Sequence, residues 1–241
     1  AFNALLERLD VSFQAQKMFV SNVSHEMRTP LAALMAELDL ALQKERTEQQ
    51  YQTAIAQALQ DARRMTKLID GLLNLAKADY QKEQIKMQEI RLDELLLDAR
   101  ELILKAHPDY HIELVFEQEE ADDDRLITVS GNLYLLTIAF SNLIENNCKY
   151  SADHTSFIQI SSWKGCAIVR LSDDGVGMSE ADKQHLFTLF YRGEQELSVE
   201  GHGIGMTLSQ KIIHLHQGGI TVHSEQGRGT TFIVELPHIP V

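Results

Sequence analysis

Two architectures follow one another in this chain. The first is an N-terminal antiparallel helical hairpin that forms a dimeric four-helix bundle with a second copy; the second is an α+β two-layer sandwich with helices on one face of a sheet. Three observations predict this order. Two heptad series of apolar residues occupy the first 80 residues. A polar stretch, Tyr80 to Glu89, breaks the pattern. Beyond it, short β-branched runs alternate with amphipathic helical segments. The division is therefore 1–80, a linker at 81–89, and 90–241.

In the first helix, apolar residues recur at Leu6, Leu9, Phe13, Val20, Val23, Met27, Leu34 and Ala41, near the 3.5-residue spacing of a coiled coil. The polar run Gln43 to Glu48 marks a turn. Tyr51, Ile55, Ala58, Ala62, Met65, Ile69, Leu72 and Ala76 then alternate steps of four and three. A short connection makes the two helices antiparallel. Each seam is narrow and leaves a stripe uncovered, which a second copy covers in a four-helix bundle; a core helix within a monomer is the competing reading. His25 stands two residues from both Val23 and Met27, about 200° around the helix from each, and so faces away from the seam. Thr29 shares its face and Glu26 adjoins it. A surface histidine is the ordinary reading of such a position, and residues far downstream decide against it.

Composition narrows the class. The chain has 241 residues, 44% of them hydrophobic and 24% charged, as in globular proteins. It contains no apolar run of about 18 residues, so nothing in it is expected to span or touch a bilayer. A net charge of −13 argues against nucleic acid as a partner, because binding there depends on Lys and Arg neutralising phosphates. A small phosphate ligand needs only local cations, backbone N–H groups or a metal. Cys148 and Cys166 lack paired-motif spacing and read as free thiols in a reducing compartment. The start, Ala1 to Leu6, has neither an initiator Met nor a signal-peptide pattern and reads as a cut through a longer helix.

In the second part, Ile90 to Lys105 reads as a helix and His111 to Phe116 as a strand. The acidic run Glu117 to Asp124 is a solvated hairpin tip before a short strand at Leu126 to Ser130. Asn132 to Tyr150 is a helix with Leu135, Leu136, Ile138, Ala139, Leu143 and Ile144 on its buried side. Strands follow at Phe157 to Trp163 and Ala167 to Leu171, then a helix at Ile204 to His216 and a final hairpin of Ile220 to Ser224 and Thr230 to Leu236.

Four short motifs bear on chemistry. Asn142, Asn146 and Lys149 share one helical face, and two amide oxygens with an ammonium suit a Mg²⁺-bound polyphosphate; alone, the spacing also fits a plain polar face. Asp173-Asp174-Gly175-Val176-Gly177 follows a strand, where a carboxylate can accept a hydrogen bond from an exocyclic amine such as that of adenine; the ordinary reading is an Asp-Gly turn. Gly201-His202-Gly203-Ile204-Gly205-Met206 opens a helix, whose free N–H groups form an anion site. The polar stretch Gly193 to Glu200 before it reads as a lid. Gly227-Arg228-Gly229-Thr230-Thr231 is a last turn, read as structural.

Each motif is weak alone, and their order is specific. His-Glu-x-x-Thr-Pro on a helical hairpin, then Asn-x-x-x-Asn-x-x-Lys-Tyr, Asp-x-Gly-x-Gly, Phe187-x-x-Phe190-Tyr191-Arg192, Gly-x-Gly-x-Gly and Gly-x-Gly-Thr-Thr-Phe closely resemble the sensor histidine kinases of two-component systems. The resemblance spans nearly the whole chain. It implies a signalling helix and a dimerisation and phosphotransfer hairpin, followed by an ATP-binding sandwich of the GHKL (Bergerat) type, shared with chaperone, gyrase and mismatch-repair ATPases. It implies that ATP phosphorylates His25 and that the phosphoryl group passes to an Asp of a response regulator receiver domain. Glu26 would orient the imidazole and take its proton. Thr29 would position water for phosphatase activity toward that partner, and Pro30 would serve as a bend point.

For the cofactors ATP and Mg²⁺, the resemblance implies that Asn146, helped by Asn142, holds the metal, and that Lys149 and Arg192 contact phosphate. Asp173 would read the adenine amino group, with Gly175 and Gly177 lining the base pocket and Thr231 near the adenine. Gly203 and Gly205 would donate backbone N–H groups to phosphate, and Tyr150, Gly201 and Met206 complete the nucleotide set. Asp174 stands where that family more often has Asn, and is expected to face solvent; Asn147 stands where a small residue is usual. The resemblance also implies a cytoplasmic piece of a membrane-anchored bacterial sensor. Rival readings are an ATPase of the chaperone or mismatch-repair class, disfavoured because the position of its general-base Glu is Asn142, and a binding module, a degenerate kinase that dimerises and docks a partner without chemistry.

Overall fold

The computed structural model describes residues 23–24, 27–28, 30–44, 47–80, 86–116, 127–193 and 203–239. The chain divides into two compact units, 1–72 and 73–241, and the boundary falls inside a helix. His25, Glu26, Thr29 and Gly201 lie outside the described residues, as do the acidic run and most of the segment read as a lid.

The first unit is a helical hairpin. Residues 30–42 form helix α1, and α2 runs Glu48–Tyr80. A reciprocal cap starts α2: the Thr47 N–H donates to Gln50 Oε1 at 3.1 Å, and the Gln50 N–H donates to Thr47 Oγ1 at 3.3 Å. Glu37 of α1 shares a cavity with Thr47, Gln50, Thr53 and Ala54 at the start of α2, so the helices run back along each other. The covered line includes Leu34 and Ala41 on α1 and Ala58, Ala62 and Met65 on α2. The apolar arc is wider than the narrow seam read from sequence. Leu31, Met35, Leu38 and Leu42, again at steps of four, three and four, stay exposed on α1, Leu42 at 84%. Tyr51, Ile55, Leu59 and Ile69 do so on α2.

The second unit is a two-layer sandwich. Strand β1 (Gln88–Arg91) pairs antiparallel with β3 (Thr128–Gly131) beside the main sheet. That sheet has the order β2-β4-β5-β7-β6, from β2 (His111–Phe116), β4 (Thr155–Trp163), β5 (Cys166–Ser172), β6 (Gly219–Glu225) and β7 (Gly229–Pro237). Only the β2–β4 pair in it is parallel, which requires a long crossover, supplied here by β3 and α4 (Leu133–Tyr150). Helices α3 (Leu92–Ala106), α4 and α6 (Gly205–Leu215) cover one face, with α4 in the middle. Ile158, Ile160, Val169, Leu171, Phe232 and Val234 alternate toward them and are buried with Leu136, Phe140, Leu143 and Ile144 of α4.

The order of elements matches the sequence reading, with four differences. Gln88 and Glu89, read as linker, and Ile90, read as helix, belong to β1. A strand that buries one residue in four gives no alternation to detect. Strand β3 covers Thr128–Gly131 rather than Leu126 to Ser130. Ile138 is half-buried rather than buried, because it lies about 180° around α4 from the sheet-facing line. Helix α5 (Glu180–His185), closed by a Ser179–Asp182 capping box, has no buried residue and leaves no periodic trace.

Candidate nucleotide site

The end of α4 and the loop after β5 meet at one end of the sheet. Asn132 caps the start of α4 by accepting from the Leu135 N–H at 3.0 Å. The helix then carries Asn142, Asn146 and Lys149 half-buried along one face, and the Lys149 ammonium lies 5.7 Å from the Tyr150 ring centroid. At its last residue the Tyr150 carbonyl accepts from the Val176 N–H at 3.4 Å. A Cβ on Gly175 would come 2.1 Å from that carbonyl oxygen, so a side chain is excluded there. One residue further, Ser151 Oγ donates to Asp174 Oδ1 at 2.7 Å. Asp174 is exposed.

Asp173 closes β5. It is 9% exposed, and its Oδ1 accepts from the N–H of Gly175 at 2.9 Å and of Thr230 at 3.2 Å. Its own N–H donates to the Thr230 carbonyl at 2.9 Å. Burial pushes this carboxyl up to about 6, against the pull of the two N–H donors and with a small push from Asp174. Oδ2 has no protein hydrogen bond among the described residues, so it is the oxygen available to a ligand.

Against Asn142 of α4 stands the start of α6. No side chain caps it, so its first-turn N–H groups have no capping acceptor among the described residues. Gly203 (φ +64°) and Phe190 (φ +66°) are both left-handed, and the Phe190 N–H donates to the Gly203 carbonyl at 2.8 Å. A Cβ on Gly203 would lie 2.6 Å from the Phe190 carbonyl carbon and the Tyr191 oxygen. Thr207 Oγ1 donates to Phe187 O at 3.0 Å, and Tyr191 Oη donates to Asp182 Oδ1 at 2.8 Å. The Phe187–Tyr191 segment is thus pinned onto the start of α6, with Arg192 half-buried one residue beyond it. Gly205 sits beside Asn142, whose Nδ2 is 3.5 Å from the Gly205 carbonyl, and Met206 is half-buried next to it.

The structure therefore brings Asn142, Tyr150, Asp173, Gly175, Gly203 and Gly205 to one end of the sandwich. Gly177 lies against the Glu225 carbonyl of the β6–β7 turn. Thr231 is placed otherwise than expected. It pairs with Ser172 and His223 on the outer face of the sheet, and the inward neighbour of Asp173 is Thr230. Strand alternation decides this, and Asp173 gives the parity once its row is known. Ser224 was missed by sequence reasoning. Its Oγ accepts from the Met178 N–H at 2.9 Å, donates to Gly229 O at 2.9 Å and lies 3.0 Å from Thr230 Oγ1. An unremarkable serine in a strand gives no signal of such a role.

For a metal, the described residues hold no group of three His, Cys, Asp or Glu side chains in ligating geometry. Amide oxygens one turn apart fit a hard cation that takes its other ligands from water and phosphate.

Comparison with known proteins agrees with this geometry. Residues 15–81 match the family model of the His Kinase A (phospho-acceptor) domain, and residues 131–240 match that of the histidine kinase-, DNA gyrase B- and HSP90-like ATPases. The chain is 30% identical over 244 residues to the probable sensor protein PcoS of Escherichia coli, covering 98% of this chain and 49% of that one. It spans about half the length of the curated relatives it matches. Among solved structures, it resembles the histidine kinase AdeS of Acinetobacter baumannii with a TM-score of 0.66 at 18% identity, covering 90% of this chain and 98% of that one. It also resembles full-length ShkA in complex with AMPPNP, with a TM-score of 0.65 at 19% identity, covering 92% and 46%. With a phospho-acceptor domain followed in the same chain by an ATPase domain of this fold, the protein belongs to the sensor histidine kinases of two-component systems.

Proposed function

We propose that the sandwich binds Mg-ATP and that its γ-phosphoryl group is transferred to His25, from which it passes to an aspartate of a response regulator receiver domain. The observation that carries the nucleotide half is the buried Asp173. Its Oδ1 is saturated by two backbone donors while Oδ2 is left for an exocyclic amine. ShkA, of the same fold, is known in complex with AMPPNP, an ATP analogue.

Asn146 and Asn142 would hold Mg²⁺, which bridges and neutralises phosphate oxygens when bound. Lys149 and Arg192 would add cationic contacts to the phosphates, and the uncapped N–H groups of Gly205 and Met206 would donate to them. Thr230, rather than Thr231, would stand beside the base. Transfer of this kind rests on positioning and charge stabilisation more than on covalent chemistry by the protein. At the hairpin, neutral His25 is the nucleophile, and Glu26 would fix its ring and accept its proton. The hairpin's uncovered apolar stripe supports a homodimer, and the full protein would be a membrane-anchored sensor with this portion in the cytoplasm.

Incubation with γ-labelled ATP tests the reading. The label should be acid-labile and base-stable, map to His25 and vanish in His25→Ala. A label on another side chain, or none, would refute it. In the same assay with a receiver domain, Thr29→Ala should keep the label on His25 while slowing its loss from the partner.

A further inference from the structure

The last inward row of the sheet is polar apart from Ile112 on its edge strand. Its register places Ser156 opposite Ile112, one step beyond the Phe157–Ser172 pair and so level with Asp173; Asp173 bonds Thr230, and Thr230 pairs with Ser224. The next row holds Ile158, Leu171 and Phe232 and is wholly apolar. Over the polar row lies Asn147. It continues the buried line of Leu136, Phe140 and Leu143 along α4, and the residue one turn on, Ser151, bonds Asp174. Asn147 is thus turned toward the sheet, about 100° around the helix from Asn146. The adjoining Cys148 thiol is pushed up to about 12, first by burial and in part by the Glu145 and Asp173 carboxylates, so this turn of α4 lies close to Asp173.

Asn147 is 1% exposed, yet neither its Oδ1 nor its Nδ2 has a partner, and the Oγ of fully buried Ser156 has none either. Buried polar atoms are nearly always paired, and these three unpaired ones need an account. An apolar residue would fill this core position better unless something else supplies the bonds.

We propose that Asn147, backed by Ser156, is a specificity-determining residue of the nucleotide site, whose amide hydrogen-bonds the edge of the adenine base held by Asp173. A primary amide offers a donor and an acceptor side by side, matching the acceptor and amino donor on an adenine edge. The inference rests on the ATP-binding reading above and adds a second base-reading group to it.

Titration calorimetry of the full chain with Mg-ATP and with Mg-tripolyphosphate, which has no base, tests the proposal. Asn147→Ala should weaken ATP about tenfold, the worth of a hydrogen bond or two, and leave tripolyphosphate unchanged. The melting temperature of the ligand-free variant should rise, because its unpaired amide is gone. Should that variant not fold, Ser156→Ala stands in, with a loss of about threefold confined to ATP. Unchanged ATP affinity, or an equal loss for both ligands, would overturn the proposal while leaving ATP binding intact. Wild-type protein that binds no ATP would overturn the nucleotide reading and this inference with it.

Discussion

The hairpin and the sandwich bury apolar surface in opposite ways. The sandwich closes on itself: Phe140, Phe232 and many leucines and isoleucines are fully buried within it. The buried apolar residues described in the hairpin are Ala41 and Ala58, each 9% exposed, while Leu38, Leu42, Ile55 and Leu59 face out. A helix pair that covers mainly small side chains inward and leaves leucines and isoleucines outward has its larger apolar surface still to bury. The sandwich's stability is internal, whereas the hairpin's would come from the second copy proposed above.

Three measurements would break or sharpen that contrast. The largest effect should follow Leu38→Glu combined with Ile55→Glu, which puts charge into the surface assigned to dimerisation. Sedimentation should show the dimer weakened by about a thousandfold, roughly 4 kcal/mol, with ATP affinity unchanged. A dimer that survives would place the interface elsewhere. Next, Asp173→Asn should cost about a hundredfold in ATP affinity by calorimetry, since a charge-assisted bond is lost, and should leave the dimer intact. Because the folded carboxyl sits near 6, above its ordinary value, it favours folding below about pH 4, and that contribution is lost as pH rises through 6. The Asn variant should therefore melt higher than wild type at pH 8 and lose that advantage at pH 4.

The smallest effect concerns His216. It is buried, and its ring joins α6 to the start of α4. Nδ1 donates to the Ile212 carbonyl at 2.6 Å, and Nε2 accepts from the Asn132 N–H at 2.9 Å. Only the neutral ring can do both, and burial lowers its pKa further. The linked stability is full above the ordinary value of 6.5 and falls as pH drops below it. Melting of the sandwich should fall by a few degrees between pH 7 and pH 5, and His216→Gln should flatten that slope; a slope unchanged in the variant would clear His216.

Most of the architecture was legible because heptads and alternating strands leave periodic traces. His111–Phe116 matches β2 residue for residue, and Asn132 to Tyr150 matches α4 with its cap. What escaped is what periodicity does not encode. The four residues of β1 bury mainly Ile90, and α5 buries nothing. In the candidate site, motif spacing singled out Asp173 and Asn142, whereas which of Thr230 and Thr231 stands inward beside Asp173 depends on strand parity, which the motif does not carry. Ser224 and Asn147 lie outside any spacing rule. One is marked by the turn it ties together, the other by lacking partners in a buried place.

The polar row under Asn147 also bears on how long the molecule survives. Unmet hydrogen-bonding groups of this kind cost on the order of 1–3 kcal/mol each, a sizeable share of a domain's margin against unfolding. A ligand that met those groups, at a hundred times its Kd, would add about 2.7 kcal/mol. With nucleotide bound there, resistance to proteases would rise with its concentration.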